Sequence, residues 1–171
     1  MQWAKKQTGF TIVELLIVVV VIAILAAITV VSYNGIMGNT HDSAVKSDLR
    51  SLVNQAMQYQ AENGSYPAGT GGAAPTGLSN IHIATGSYDM SMNNFYYCRG
   101  STSAGLDKVA VIAQSKSGHR FVYESDKGLS DYTGPWANSY SQSCGSLGVS
   151  SNLSYSLGYN NSESDWRAWV K

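Results

Sequence analysis

Apolar side chains fill almost every position from Phe10 to Val31, FTIVELLIVVVVIAILAAITVV, with Glu14 as the one strongly polar residue and Thr11 and Thr29 as mild exceptions. About 20 such residues match the thickness of a bilayer, so the pattern predicts a helix over 10–33 that enters lipid. Beyond it the helical period continues but becomes one-sided. Val45, Leu49, Leu52, Val53, Ala56, Met57 and Tyr59 recur at three- and four-residue steps, with Lys46, Asp48, Arg50, Asn54 and Gln58 on other faces. That is the pattern of an amphipathic helix packed on a soluble domain, here over 34–63. Asn34-Gly35 and Gly38-Asn39 are breaker signals, either of which could bend or interrupt the helix where it leaves the membrane. Its end is predicted at Glu62-Asn63-Gly64-Ser65-Tyr66-Pro67, where Gly supplies a C-cap and Pro cannot continue the helix. At about 1.5 Å per residue, a helix from Phe10 to Asn63 would be roughly 80 Å long, more suited to a subunit that reaches a shared core than to a monomer.

The remaining 64–171 reads as one head domain. Residues 68–80, AGTGGAAPTGLSN, form a Gly/Ala/Pro-rich loop without periodicity, expected to cover the helix or to stand exposed. Strand signals follow at Asn94–Cys98, Lys108–Gln114 and Arg120–Glu124, separated by turn-like segments from Gly100 to Gly105 and from Ser115 to Gly118. They predict a three-stranded antiparallel meander. Laying that sheet on the amphipathic half-helix buries one face of each, giving an α+β fold: a long N-terminal helix, transmembrane and then amphipathic, against a small antiparallel sheet. From Lys127 to Lys171 the apolar anchors Trp136, Tyr140, Leu147, Leu153, Tyr155, Leu157, Tyr159, Trp166 and Trp169 are spaced by short strands or ordered loops without clear bounds.

Charge adds a little to this picture. Lys and Arg number 11 and Asp and Glu 11; without Lys5 and Lys6 the balance is 9 against 11, or −2. No basic surface suited to nucleic acid is indicated. Weak charge also suits a protein packed beside many copies of itself.

Candidate catalytic chemistry is sparse. His41, His82 and His119 are scattered, with no HExxH, no Cys/His cluster at zinc spacing, no G-x-S-x-G elbow and no G-x-x-x-x-G-K-[ST] phosphate loop. No enzyme activity, cofactor or metal site is expected. Glu124, Asp126 and Asp131 cluster near Gly128 with oxygen ligands of the kind calcium takes, but without EF-hand spacing, so solvated turn acids are the favoured reading. Asn63, Asn152 and Asn160 begin N-x-S sequences, which an Asn- and Ser-rich chain produces by chance. Cys98 and Cys144 are the two cysteines. An oxidising compartment permits their one intramolecular pairing, and two free buried thiols are the alternative.

Ahead of the apolar run stand Met1-Gln2-Trp3-Ala4-Lys5-Lys6-Gln7-Thr8-Gly9. The two lysines favour a cytoplasmic N-terminus, with the C-terminal part facing outward. A secretory signal is cut after its apolar region, whereas the candidate cut here precedes it, at Gly9-Phe10. A short leader ending Lys-Lys-Gln-Thr-Gly, followed by Phe10-Thr11-Ile12-Val13-Glu14-Leu15-Leu16-Ile17-Val18, resembles the type IV pilin and pseudopilin family, in its type IVa branch. The Asn63-Gly64-Ser65-Tyr66-Pro67 helix exit is similar to that of many members. The resemblance implies cleavage after Gly9 by prepilin peptidase, which also N-methylates the amine of Phe10. It further implies a pilin-like fold and a Cys98–Cys144 bridge pinning the C-terminal region to the sheet. On the chain-entropy model that bridge contributes roughly 4 kcal/mol. Members commonly carry a proline near the end of the apolar run, where this chain has Val30-Val31-Ser32, so helix melting there is not implied.

A carboxylate at bilayer depth is functional by default and requires a partner. No Lys, Arg or His lies within the run to pair Glu14. The α-amine of Phe10 is the nearest candidate; the resemblance points to that of an adjoining subunit, and a local contact one helical turn away is the simpler alternative. The implied function is a structural subunit, as a major pilin, of a type IV pilus serving adhesion, twitching motility or DNA uptake. It would sit in the cytoplasmic membrane as a single pass before assembly and in an extracellular pilus afterwards. Its partners would be copies of itself, prepilin peptidase, the assembly platform and separate motor ATPases. The alternative is a pseudopilin of a type II secretion or competence system, and a third reading is a membrane-anchored binding domain that never polymerises.

Overall fold

The computed structural model describes residues 9–78, 81–136, 140–149 and 151–170. Residues 1–8 of the expected leader lie outside them. Two compact units are present, Met1–Met37 and Gly38–Lys171.

The first element is helix α1, Ile12–Asn63. It runs without interruption through the breaker signals at Asn34-Gly35 and Gly38-Asn39. Each glycine costs about 1 kcal/mol relative to alanine, but neither removes a backbone donor, and propagation from helical flanks on both sides carries the chain through. The exit follows the sequence signal: Gly64 takes φ +78° and its N–H donates to the Gln60 carbonyl at 2.8 Å, a left-handed cap that a side chain would strain.

The head is larger in sheet than the three predicted strands. Strands β1 (Phe95–Ser101), β2 (Asp107–Gln114) and β3 (Arg120–Glu124) are joined by β4 (Gly128–Asp131) and β5 (Ser151–Leu157), with helix α2 (Tyr140–Gly145) between the last two. The order is β4-β3-β2-β1-β5, and every pair is antiparallel. A separate hairpin pairs β6 (Tyr159–Asn160) with β7 (Asp165–Trp166). The predicted meander is thus present and extended at both edges.

Side-chain alternation divides the sheet between two cores. Phe95 and Tyr97 of β1, Val109, Val111 and Ala113 of β2 and Phe121 of β3 face Val45, Leu49, Leu52, Val53 and Ala56 of α1. Their neighbours Tyr96, Cys98, Ala110, Ile112 and Val122 point the other way and are buried with Tyr132, Cys144, Leu147 and Val149. The 132–149 segment is therefore a second cover over the sheet. This explains why β2 is buried along nearly its whole length: a strand covered on both faces has no polar face to alternate with.

The Gly/Ala/Pro-rich loop covers neither the helix alone nor open solvent. It runs along the free edge of β5, where Gly71 N–H donates to Tyr155 O at 2.7 Å and Leu157 N–H donates back to Gly71 O at 2.8 Å. A Cβ at Gly69 would lie 2.2 Å from the Tyr155 carbonyl carbon, so only glycine allows this approach. The loop thereby satisfies an edge that would otherwise recruit foreign strands. Asp107 ties down the helix exit, accepting from Tyr66 N–H at 2.8 Å and from Arg99 Nε at 2.9 Å.

Candidate assembly site on the N-terminal helix

Gly9 and Phe10 precede the first turn of α1 in exposed backbone; Phe10 is 90% exposed. Among the described residues nothing lies within 4 Å of a Cβ built at Gly9. Thr11 then starts the helix in a way the hydrophobic pattern alone does not announce. Its N–H and hydroxyl both donate to Glu14 Oε2, at 2.8 and 2.7 Å, while Glu14 N–H donates back to Thr11 Oγ1 at 3.2 Å. This is a reciprocal capping box, satisfying donors that a helix N-terminus leaves unpaired. Its signal, Thr-x-x-Glu before an apolar run, stands in Thr11-Ile12-Val13-Glu14. Read only as a mild interruption of the apolar run, Thr11 is the capping residue that the sequence reading missed.

The local partner of Glu14 is thus Thr11 and not Phe10. With Gly9 attached, the Phe10 nitrogen is an amide and carries no charge, and residues 9–37 contain no Lys, Arg or His. The carboxylate is held on the helix surface, beside a groove formed with Phe10, Leu15, Ile17 and Val18. Beyond it Leu15, Ile17, Val18, Leu25, Ile28, Val30 and Val31 are all exposed by half or more. The helix is long and apolar enough to cross a membrane, and no residue of its most apolar stretch is buried within the chain. Such a surface is unstable in water and has to be covered by lipid or by protein.

The other candidate residues lie in the head. Cys98 of β1 and Cys144 of α2 are joined in a disulfide with Cα atoms 5.6 Å apart, and neither is exposed. The bond fastens the 132–149 cover to the central sheet. The three acids near Gly128 are not alike: Glu124 is buried and paired with Lys108, correcting its reading as a solvated turn acid. Asp126, half exposed, also meets Lys108 at 3.1 Å. Burial works against the Lys108 ammonium, but the two carboxylates outweigh it and raise its pKa. Asp131 stands exposed at the end of β4. Among the described residues no His, Cys, Asp or Glu group is arranged to hold a metal.

Residues 4–30 match the model of the prokaryotic N-terminal methylation motif. Over 76 residues the chain is 35% identical to the type IV wide pilus major component PilA4 of Thermus thermophilus, covering 44% of this chain and 58% of that protein. The chain carries the N-terminal methylation motif and is similar to a type IV pilin. Over 129 residues the chain is 26% identical to the type II secretion system core protein G of Vibrio cholerae, covering 69% of it and 88% of the relative. It is 33% identical over 67 residues to the protein of that name from Escherichia coli K12, covering 39% and 46%. It therefore spans a little over half of PilA4 and under half of the Escherichia coli relative. No solved structure matches the chain. The motif match spans residues 4–30, so Glu14 and its Thr11 cap lie within it.

In the uncut form the capping box holds the Glu14 carboxylate in one orientation. Thr11→Val, which keeps the side-chain shape and removes the hydroxyl, is expected to fray the first turn of α1 and slow assembly without altering membrane insertion. Filament yield against membrane-fraction protein, measured side by side, checks this; equal yields would show that the cap has no part in assembly.

Proposed function

We propose that this chain is the structural subunit of a type IV pilus. It is made as a precursor held in the cytoplasmic membrane by residues 10–33 with the head outside. Prepilin peptidase cuts after Gly9 and N-methylates Phe10, and the mature chain then polymerises through its apolar helix. The observation that carries this reading is the bare apolar surface of α1 between Phe10 and Val31. A plain anchor explains apolarity but not Glu14, whose carboxylate needs a positive partner at bilayer depth. Cleavage creates that partner: the Phe10 nitrogen changes from an amide to a charged amine. Pairing it with Glu14 of a neighbour neutralises both groups as subunits leave lipid. The assembly platform and motor ATPases are separate proteins in this scheme.

A second reading rests on a specific observation: the match to core protein G of Vibrio cholerae runs over 129 residues and reaches into the head. On that reading the chain is a pseudopilin of a secretion system, assembled by the same chemistry into a short fibre. The head disulfide supports the pilin, since it strengthens a domain displayed outside the cell.

Two measurements test the proposal. Mass spectrometry of the membrane-fraction protein is expected to give a mature chain beginning at N-methylated Phe10; an intact leader would reduce the chain to an anchored domain. Electron microscopy of sheared surface material is expected to show long filaments containing it. Cleaved protein without surface filaments would favour the pseudopilin.

A further inference from the structure

Within the head, α1 is attached in two chemically different ways. From Val45 onward its buried residues are apolar: Val45, Leu49, Leu52, Val53 and Ala56. Before Val45 the one buried residue is Asp42. Among the described residues, none of 38–44 buries an apolar side chain.

What holds it is polar. The Asp42 carboxylate accepts from the Ser117 hydroxyl and meets His119 Nδ1 at 2.6 Å, both from the turn between β2 and β3. One residue earlier, His41 Nδ1 lies 3.2 Å from Ser87 Oγ, a second polar tie. The turn itself is built around the same hydroxyls, with Ser117 Oγ 3.2 Å from Ser115 Oγ and accepting from His119 N–H at 3.2 Å. The His119 side chain is 70% exposed and Asp42 only 10%, so water reaches the pair from the imidazole side. Beside them a cleft of about 560 Å³ is lined by Asn39, Lys46, Arg120 and Asp131 among others. The charged neighbours have other engagements or stand in solvent. Lys46 Nζ sits 4.4 Å over the Phe121 ring, Arg120 Nε donates to Gln114, and Asp131 and Lys116 are exposed.

We infer that the Asp42–Ser117–His119 contact is a latch that opens and closes while the head stays folded, freeing residues 38–44 of α1 and the β2–β3 turn together. The physical basis is the difference between the two attachments. Opening the apolar part exposes core and is coupled to global unfolding, whereas opening the latch exchanges protein hydrogen bonds for water at a site already bordered by it. A subunit built this way can yield locally at the start of its head without loss of the core. The latch also depends on acid. Burial pushes the Asp42 carboxyl up, but hydrogen bonds from Ser117, His119 and Ser115 outweigh it and hold the pKa below the usual Asp value. The contribution of that group is therefore present at neutral pH and lost as pH falls through its lowered pKa.

Amide hydrogen exchange on the full chain in detergent tests the inference. In the wild type, amides of residues 115–119 are expected to exchange through an opening far smaller than that of Val109–Ala113. Asp42→Ala is expected to speed exchange in 115–119 by about 10- to 100-fold, the loss of hydrogen bonds to a charged group, while the β1–β2 core is unchanged. A covalent lock gives the opposite arm. The Cβ built at Gly38 lies 3.7 Å from Ser117 Cβ, a separation that a disulfide fits, and the pair Gly38→Cys with Ser117→Cys is expected to slow turn exchange below the wild type once oxidised. Turn amides that exchange only with the core in the wild type would overturn the inference. So would an Asp42→Ala effect spread evenly over the head, or a lock that forms and leaves turn exchange unchanged.

Discussion

Glu14→Ala is expected to abolish filament formation while leaving membrane insertion and leader cleavage intact. Alanine makes the segment from Phe10 to Val31 more apolar, so insertion is eased, and the Gly9-Phe10 junction is unchanged. What disappears is the one carboxylate in the segment able to meet the amine that cleavage creates. Glu14 belongs to the unit Met1–Met37 and the head to Gly38–Lys171, so the melting curve of the head is expected to match the wild type, which separates lost assembly from a misfolded head. Glu14→Gln separates the two roles of the residue: it retains an acceptor for the Thr11 cap and removes the charge. Assembly should fail in both variants if the ion pair matters and recover in Glu14→Gln if the cap alone matters. Filament mass per unit of membrane subunit is the quantity to measure.

Removing the head disulfide is the second large effect. Cys98→Ser with Cys144→Ser opens a loop whose ends are 46 residues apart, which on the chain-entropy model destabilises the head by about 4 kcal/mol. The loss falls unevenly. Val45, Leu49 and Leu52 still hold α1 to the inner face of the sheet, whereas the outer cover is then left to the smaller packing of Tyr132, Trp136, Leu147 and Val149. The expected result is a large fall in melting temperature together with early exposure of Tyr96, Ile112 and Val122, seen as dye binding below the main transition. A variant that melts like the wild type would mean that the outer cover is held by packing. Buried bonds of this kind also protect themselves, since both sulfurs lie out of reach of solvent reductants.

Acid should weaken the head in a defined window. Asp126, like Asp42, is held below the ordinary Asp value despite partial burial, mainly by hydrogen bonds and charge from Lys108. Groups depressed on folding contribute stability above their unfolded pKa, which for Asp is about 3.9, and lose it as pH falls through the folded value. Melting temperature is therefore expected to be level from pH 7 to about pH 5 and to drop below about pH 4, less steeply in Asp42→Asn.

Much of this architecture is visible in the chain before folding. The two halves of α1 differ in period, the exit is spelled by Gly64 and Pro67, and the first three strands are bounded by their turns. The outer cover was not legible. Yet Lys108-Val109-Ala110-Val111-Ile112-Ala113-Gln114 does not alternate, and a strand without a polar face announces a second layer. Strand β4 is four residues long and β5 is rich in serine; both owe their conformation to pairing with a neighbour more than to local preference. Glycines at 35 and 38 do not interrupt the helix, because a breaker acts through a small local cost that long helical flanks absorb. At the site, the spacing of Thr11 and Glu14 carried a cap that was masked by the stronger signal of the apolar run. The His119–Asp42 contact joins residues 77 positions apart, a distance over which no pattern in the sequence speaks.

All of these points return to one physical claim, that the surface from Phe10 to Val31 is covered by lipid before assembly and by sister helices after it. Reconstruction of the filament by electron cryomicroscopy tests it most directly. The account predicts these segments bundled along the filament axis, with each Glu14 carboxylate within ion-pair distance of a Phe10 amine on an adjoining subunit. Segments facing solvent on the outside of the fibre, or a processed chain that stays monomeric in its host membrane, would contradict it.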